Sequence, residues 1–512
     1  MVGNAQEGKI ERGTKKFNQY DFVDAQEIYQ KVADKGYESA DLFKRLGDSY
    51  YLNARYDKAS IYFGKLIQQF PEAAESEAYF RYALSLRAIK DYSLSDRMMS
   101  RFFDLKEDDK RAGLFKASPD YLREIDYQKG SYEVSKTTIN SGYSDFGPML
   151  YKDKLIFASN RDTGSFTKRI HKWNGQPFLN LYQVSLNKVD QDAGNKYVEK
   201  FNSYLNTQYH ESTPVFSEDG KTVYFTRNNY NNGKYREDND GTNKLKLYKA
   251  SLVAHPTLSV DGKRLYFSSD MPGSFGLSDL WYVSINEDDT YGTPVNLGSD
   301  INTEGRESFP FISSENDIYF ASDGHPGLGG LDLFVTALGK NGEIAEILNL
   351  GEPANTSKDD FAFVINSESN LGFLSSNRGN VGTNDDIYML KQISKPKVAC
   401  DILLSGVVTD KDTGDYLEGT KVSLYDTNNN LFKSVVTGAS AAFAFIPDCD
   451  KVFLIRAEKE GYNTAEKMVT IPNESAEIEE LLQLEKTLKP VVPGDDIAKI
   501  LDLNPIYFNF DK

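Results

Sequence analysis

Only two cysteines, Cys400 and Cys449, occur in 512 residues. Two thiols cannot make a zinc site of the usual four-ligand kind, so no structural metal is expected from them. Both lie in one short β-rich stretch. A disulfide between Cys400 and Cys449 is therefore expected, which implies an oxidising compartment; two unpaired core thiols are the alternative. Histidine is almost as rare. His171, His210, His255 and His325 are scattered, no Gly-x-Ser-x-Gly elbow occurs, and nothing nominates a nucleophile with a base in reach. Neither an enzyme nor a cofactor is expected. His255 and His325 each precede a proline, which reads as loop structure.

Positive charge is also short. A net charge of −17 argues against broad attraction to nucleic acid or to an anionic lipid surface. No stretch approaches the roughly 20 consecutive apolar residues that cross a bilayer. The opening MVGNAQEGKIERG lacks the apolar centre of a secretory signal. A processed chain would lack one as well, so this leaves the compartment open. What the sequence holds in excess is Tyr (32) and Phe (31), residues that suit half-buried pleated surfaces. The length implies about three or four domains.

Residues 8–112 are rich in Ala, Leu, Lys, Glu and Tyr with a period near 3.6, which predicts helices. Leu46, Gly47, Tyr50, Ala59, Phe63 and Pro71 fall at tetratricopeptide spacings, where small residues let two helices approach and aromatics fill the gap. Gly13, Ala25 and Tyr29 stand 34 residues before their counterparts, and Tyr82, Ala83, Ser95 and Met99 form a third copy. Three helix pairs in an α-solenoid are expected, offering a groove to a peptide or partner. Residues 113–131 are expected to be a connector.

From about residue 132 one hairpin recurs. In AHPTLSVDGKRLYFSSD, Pro256 opens a strand, Asp261-Gly262 makes the tight turn, and Leu265-Tyr266-Phe267 begins the return strand. The copy STPVFSEDGKTVYFTRN turns at Asp219-Gly220, and looser copies surround Phe157, Phe320 and Phe373. Each is followed by a Gly-rich bend and a third strand. Five copies predict an all-β propeller of five blades over 132–390, because a ring of small sheets buries faces that one sheet cannot. The run YEVSKTTIN (132–140) is expected to add the outer strand of the last blade. One junction is short: 29 residues separate Trp281 from Pro310 but only eight separate Tyr248 from Pro256. Either the repeat carries a deletion or a loop is missing from the sequence near Ser251–Val253. The repeated Asp and Ser, Asn160-Arg161 and Asn377-Arg378 read as turn and blade-edge structure. The copies resemble the WD40-like, TolB-type propeller repeat.

After a linker at 391–399, residues 400–486 alternate apolar and polar around an Asp-rich turn. Gly406, Val408, Asp410, Thr413, Leu417, Gly419, Val422 and Leu424 resemble the opening of the carboxypeptidase regulatory-like domain, which implies a small, non-catalytic β-sandwich. Asp410, Asp412 and Asp415 could chelate calcium, but a solvated turn is the expected reading. A second linker (487–503) leads to NPIYFNFDK (504–512), which looks like the first strand of an OmpA-like peptidoglycan-binding domain whose remainder is absent.

Taken in order, these modules resemble the multidomain OmpA-family proteins of the type IX secretion system, of which PorE is a member, and relatives associated with PorP/SprF-type outer-membrane barrels. The resemblance implies a periplasmic scaffold associated with the outer membrane, with peptidoglycan and such a barrel as partners. The other reading is a periplasmic sensor whose propeller binds a glycan or peptide. Insertions in a scaffold are where partners bind, and Trp173, in SFTKRIHKWNGQPF, is the candidate contact; Trp281 sits in a strand and is expected in the core.

Overall fold

The computed structural model describes residues 2–500 apart from 162–169, 203–204, 208, 218–219, 221, 232–233, 237–244, 250–253, 289, 340–342, 380–383, 398–401, 473–475 and 488–491. It divides into two compact units, Met1–Lys397 and Val398–Lys512. The expected OmpA-like strand at 504–512 lies outside the described residues.

The first unit opens with helices α1 (Val2–Phe17), α2 (Phe22–Ala33), α3 (Ala40–Tyr51), α4 (Tyr56–Gln69), α5 (Ser76–Arg87) and α6 (Tyr92–Leu105). Within each pair the turn carries one left-handed residue, Tyr20, Ala54 or Lys90. Ser39 and Asp91 accept hydrogen bonds from Leu42 and Leu94 amides and so cap α3 and α6. The pairs pack where helix backbones come close. A methyl carbon placed on Gly13 would lie 2.6 Å from the Tyr29 ring, and one on Gly47 would lie 2.7 Å from the Phe63 ring. At the third copy the residues at these two positions are Ala83 and Met99, both buried in the same core. The larger first residue is thus matched by a slimmer, more pliable second one.

The stretch expected as a connector holds two further helices, α7 (Lys110–Ala117) and α8 (Tyr121–Tyr127). Their brevity and lack of repeat register hid them. A ladder of ion pairs ties α7 back: Asp48 to Arg81, Arg81 to Glu77, Glu77 to Arg111, and Arg111 to Asp109. Burial works against the charge on Arg111, but the hydrogen bonds from its guanidinium to Asp109 and the charge of Glu77 raise its pKa overall. The same guanidinium lies 4.1 Å above the Phe80 ring.

Five small antiparallel sheets follow, each beginning at one of the repeated hairpins. Their inner strands are Asp145–Tyr151, Glu211–Phe216, Ala254–Leu258, Glu307–Ile312 and Asp360–Asn366. Each inner strand neighbours the next, and the fifth neighbours the first. Tyr132–Lys136 pairs with Asp386–Gln392 in the last sheet, as the sequence led us to expect. Four sheets have four strands; among the described residues the second has three, and Ser251–Val253, where the sequence is short, lie outside them. The turn glycines Gly220 and Gly262 have φ of +69° and +67°. Trp281 is 6% exposed, in the core.

A motif in the connectors joins neighbouring sheets. Asn140-Ser141, Asn206-Thr207, Asn302-Thr303 and Asn355-Thr356 each precede, by four residues from the hydroxyl, an acid at the head of an inner strand: Asp145, Glu211, Glu307 and Asp360. Each asparagine amide both accepts from and donates to the backbone of one residue in the preceding sheet's third strand, respectively Ile387, Leu181, Leu280 and Leu333. Each hydroxyl donates to the acid, and all four acids are fully buried. These bonds satisfy backbone groups that water cannot reach.

The second unit contains two sheets around a core that includes Ile402, Leu404, Val422, Leu424, Phe443, Phe453 and Ile455. One sheet is built from Ala442–Phe445, Ile402–Asp410 and Ala476–Leu484, the last two parallel; the other from Leu431–Val436, Lys421–Tyr425, Val452–Glu458 and Ala465–Thr470.

Candidate functional site

The axis where the five inner strands meet is filled. Each inner strand shifts register at the same point, and there stand Gly147-Pro148, Thr213-Pro214, His255-Pro256, Phe309-Pro310 and Ala362-Phe363. The first residue of every pair has positive φ. Proline is tolerated because a bulge interrupts the ladder, so no amide donor is missed. Met149, Phe311 and Phe363 complete the plug, leaving a cavity of ≈ 30 Å³, which is about one water. Toward the hairpin turns the axis widens into a groove of ≈ 280 Å³ lined by Met149, Val215, Phe216, Leu258, Phe311 and Ile312.

The opposite end of the sheets carries the helices, and this joint is the most elaborate polar site in the unit. Tyr56 donates to Asp359 Oδ1 at 2.7 Å, Tyr51 approaches Asp323 Oδ2 at 3.4 Å, and Tyr92 donates to the Leu328 carbonyl at 3.2 Å. Lys358 Nζ donates to the Ala88 carbonyl, and the Lys110 amide donates to Glu304. Arg306 forms an ion pair with Asp323 at 2.7 Å. Burial opposes its charge, but Asp323 and the oxygens of Tyr51 and Tyr56 hold it protonated. Burial, reinforced by Asp323, pushes the Tyr51 hydroxyl far above its ordinary pKa, and burial with Asp359 does the same to Tyr56. The phenols therefore stay neutral donors. Gly330 is required here: a methyl carbon would lie 2.1 Å from Asp359 Oδ1 and 2.4 Å from the Tyr56 hydroxyl.

Trp173 belongs to this joint. Its indole N–H donates to the Leu52 carbonyl at 3.2 Å, its ring stacks on Tyr20 at 5.9 Å and meets Phe22 edge-on at 4.7 Å. The residue singled out for a partner is half-buried against the chain's own helices. No sequence motif connects the residues of the joint, which lie up to 303 positions apart.

The histidines do not converge on a reactive pair. Burial lowers His255 and His325 to about 4 and His210 to about 3, so all three are neutral. His325 Nε2 bonds to the Ile301 carbonyl and His210 Nδ1 accepts from the Leu179 amide. His255, expected in a loop, lies inside an inner strand at the bulge, its ring 3.8 Å from that of Phe309. His171 and His210 meet edge to face at 4.5 Å.

Arg161 and Arg378 pair with the buried Asp145 and Asp360, and Asn377 donates to Asp359, so both Asn-Arg pairs hold sheet edges. In the second unit Asp410 Oδ1 accepts from the amides of Asp412 and Thr413, which hold its carboxyl down at about 2, and Oδ2 accepts from Tyr462. This is turn chemistry. Cys449 is disulfide-bonded; Cys400, the other cysteine in the sequence, lies outside the described residues.

No family model matches the chain, and no curated protein matches it. Among solved structures it is similar to PorZ, an essential bacterial surface component of the type IX secretion system of Porphyromonas gingivalis, at TM-score 0.26 and 9% identity, over 68% of this chain and 53% of that one. Puromycin hydrolase gives TM-score 0.26 and 9% identity over 62% and 59%. A putative membrane-associated protein of unknown function from Bacteroides fragilis gives 0.15 and 20% over 18% and 31%. In all three this chain spans only part of the other's length, and likenesses this slight carry no inference about activity. No helix among the described residues is long and apolar enough to cross a membrane.

Proposed function

We propose that the protein is a non-catalytic periplasmic scaffold. In this reading the helix pairs are a tetratricopeptide solenoid, the five sheets a five-bladed propeller, the second unit a carboxypeptidase regulatory-like sandwich, and residues 504–512 the start of an OmpA-like domain. The chain links an outer-membrane barrel of PorP/SprF type, or another type IX secretion component, to peptidoglycan held by the rest of that last domain.

The observation that supports it is the joint. Helices and sheets are bonded over Tyr51, Tyr56, Tyr92, Lys358 and Trp173, and the sheet axis is packed shut. Such a body is suited to holding neighbours at a fixed spacing. Asp145, Glu211, Glu307 and Asp360 are engaged by hydroxyls of the connectors, and His325 by the Ile301 carbonyl, which favours a structural use for them. A sensor that took its ligand at the plugged level of the axis would find room for about one water.

Pull-down of the tagged full-length protein from solubilised membranes tests the reading. Recovery of an outer-membrane barrel in stoichiometric amount supports it. Recovery of none, with a soluble glycan bound one-to-one by the protein, would sink it in favour of the sensor.

A further inference from the structure

The third and fourth sheets carry the same loop between their second and third strands. Residues 269–279 (SDMPGSFGLSD) and 322–332 (SDGHPGLGGLD) align without a gap. Asp279 accepts from the amides of Phe275 and Gly276 at 2.8 and 3.1 Å, and Asp332 holds its own loop from the corresponding place, accepting from Gly329 at 3.0 Å. Phe275 therefore occupies the position of Leu328, and Leu277 that of Gly330.

The two positions have opposite fates. Leu328 is 7% exposed, packed with Tyr121 and Ile125 of α8, while its carbonyl accepts from Tyr92. Phe275 and Leu277 are 52% and 53% exposed. They also adjoin the edge of the helical footprint. Leu277 donates its amide to the Gly305 carbonyl at 2.8 Å, and the preceding Glu304 receives the first amide of α7. The helical region thus reaches Glu304, next to the Gly305 that bonds the second, uncovered copy of the loop.

We propose that Phe275 and Leu277 form a docking site for an amphipathic α-helix of a partner protein. The chemistry of that helix follows from the covered copy: two apolar or aromatic residues four apart, like Tyr121 and Ile125, close over the loop tip. Two exposed large apolar side chains on an ordered loop, contiguous with a buried interface, are what such a helix removes from water. The site needs neither a membrane barrel nor peptidoglycan, so it can stand if the tether reading fails.

Photo-crosslinking in cells tests it, with p-benzoylphenylalanine in place of Phe275 in the full-length chain and, as comparison, in place of Val260, which is 55% exposed at the hairpin-turn end. One dominant adduct is expected, absent from the Val260 position, whose crosslinked peptide lies in an amphipathic helix. Adding Leu277→Ser should cut its yield about tenfold, the loss typical of truncating a central apolar contact, while the thermal midpoint stays unchanged. An adduct to a second copy of this chain, an adduct of equal yield at both positions, one indifferent to Leu277→Ser, or none at all would each overturn the proposal.

Discussion

The helix pairs and the sheets are both built by repetition, yet they tolerate change differently. In the helices the repeated constraint is room for a side chain against a facing helix, Gly13 under Tyr29 and Gly47 under Phe63, with Ala83 and Met99 at the same two positions of the third copy. When one member grows, the other yields. In the sheets the constraint is a backbone conformation. Gly147, Thr213, His255, Phe309 and Ala362 all adopt positive φ at the axis, and only the first is the residue that does so without strain. Packing around the axis over-determines the backbone, so side-chain identity drifts there while conformation does not. Repetition of contact and repetition of backbone therefore leave different traces in a sequence.

The largest expected effect lies on the sheet side. Arg378→Ala leaves the fully buried Asp360 without its guanidinium. A cost of about 3–5 kcal/mol is expected, against at most about 0.5 kcal/mol for Arg45→Ala, whose Asp41 partner is solvated. Chemical denaturation of the two variants measures the difference. On the helix side, Gly47→Leu forces a branched side chain into the Phe63 ring and should lose about 1–3 kcal/mol; adding Phe63→Ala should restore part of it, which a double-mutant cycle reads directly.

Solution pH gives the next contrast. Burial pushes Glu307 up to about 8 from an ordinary value of 4.5. Between those values the folded chain keeps a proton that the unfolded chain has released. The contribution of this group is therefore complete below about pH 4.5 and is lost as pH rises to about 8. Thermal midpoints should fall along that range, and Glu307→Gln should flatten the decline. The smallest effect is the sharpest comparison. Ala83→Gly should cost about 1 kcal/mol, as glycine does inside a helix, whereas Ala362→Gly, at φ +52°, should be close to neutral because relief at the backbone offsets the lost methyl. Equal losses at the two sites would erase the distinction between the repeats.

The helix pairs and hairpins were legible because their periods, about 3.6 and 2, recur at fixed offsets around aromatic residues. The pairing of 132–136 with the last sheet was legible from the unpaired strand that begins the repeat. The connector motif is present in the sequence but carries no hairpin signal: Asn-Ser or Asn-Thr, its hydroxyl residue four positions ahead of an acid, lines up only when connectors rather than hairpins are aligned. It is missing before Ala254, beside the stretch already noticed as short. Helices α7 and α8 were hidden by having no repeat. The joint was beyond the sequence, because bonds such as Tyr56 to Asp359 join residues whose local patterns are independent. Trp173 stands out as an aromatic in an insertion, but nothing local reveals that Tyr20 and Phe22 receive it.

That helices and sheets form one cooperative body is the premise of the scaffold reading. Native-state hydrogen exchange over residues 1–397 in increasing denaturant tests it most directly. Amides of α3 to α6 and of the fourth and fifth sheets should merge into one opening reaction, and Tyr56→Phe should lower its free energy for both regions together. Helices that open first, by a separate reaction that Tyr56→Phe leaves untouched in the sheets, would contradict it.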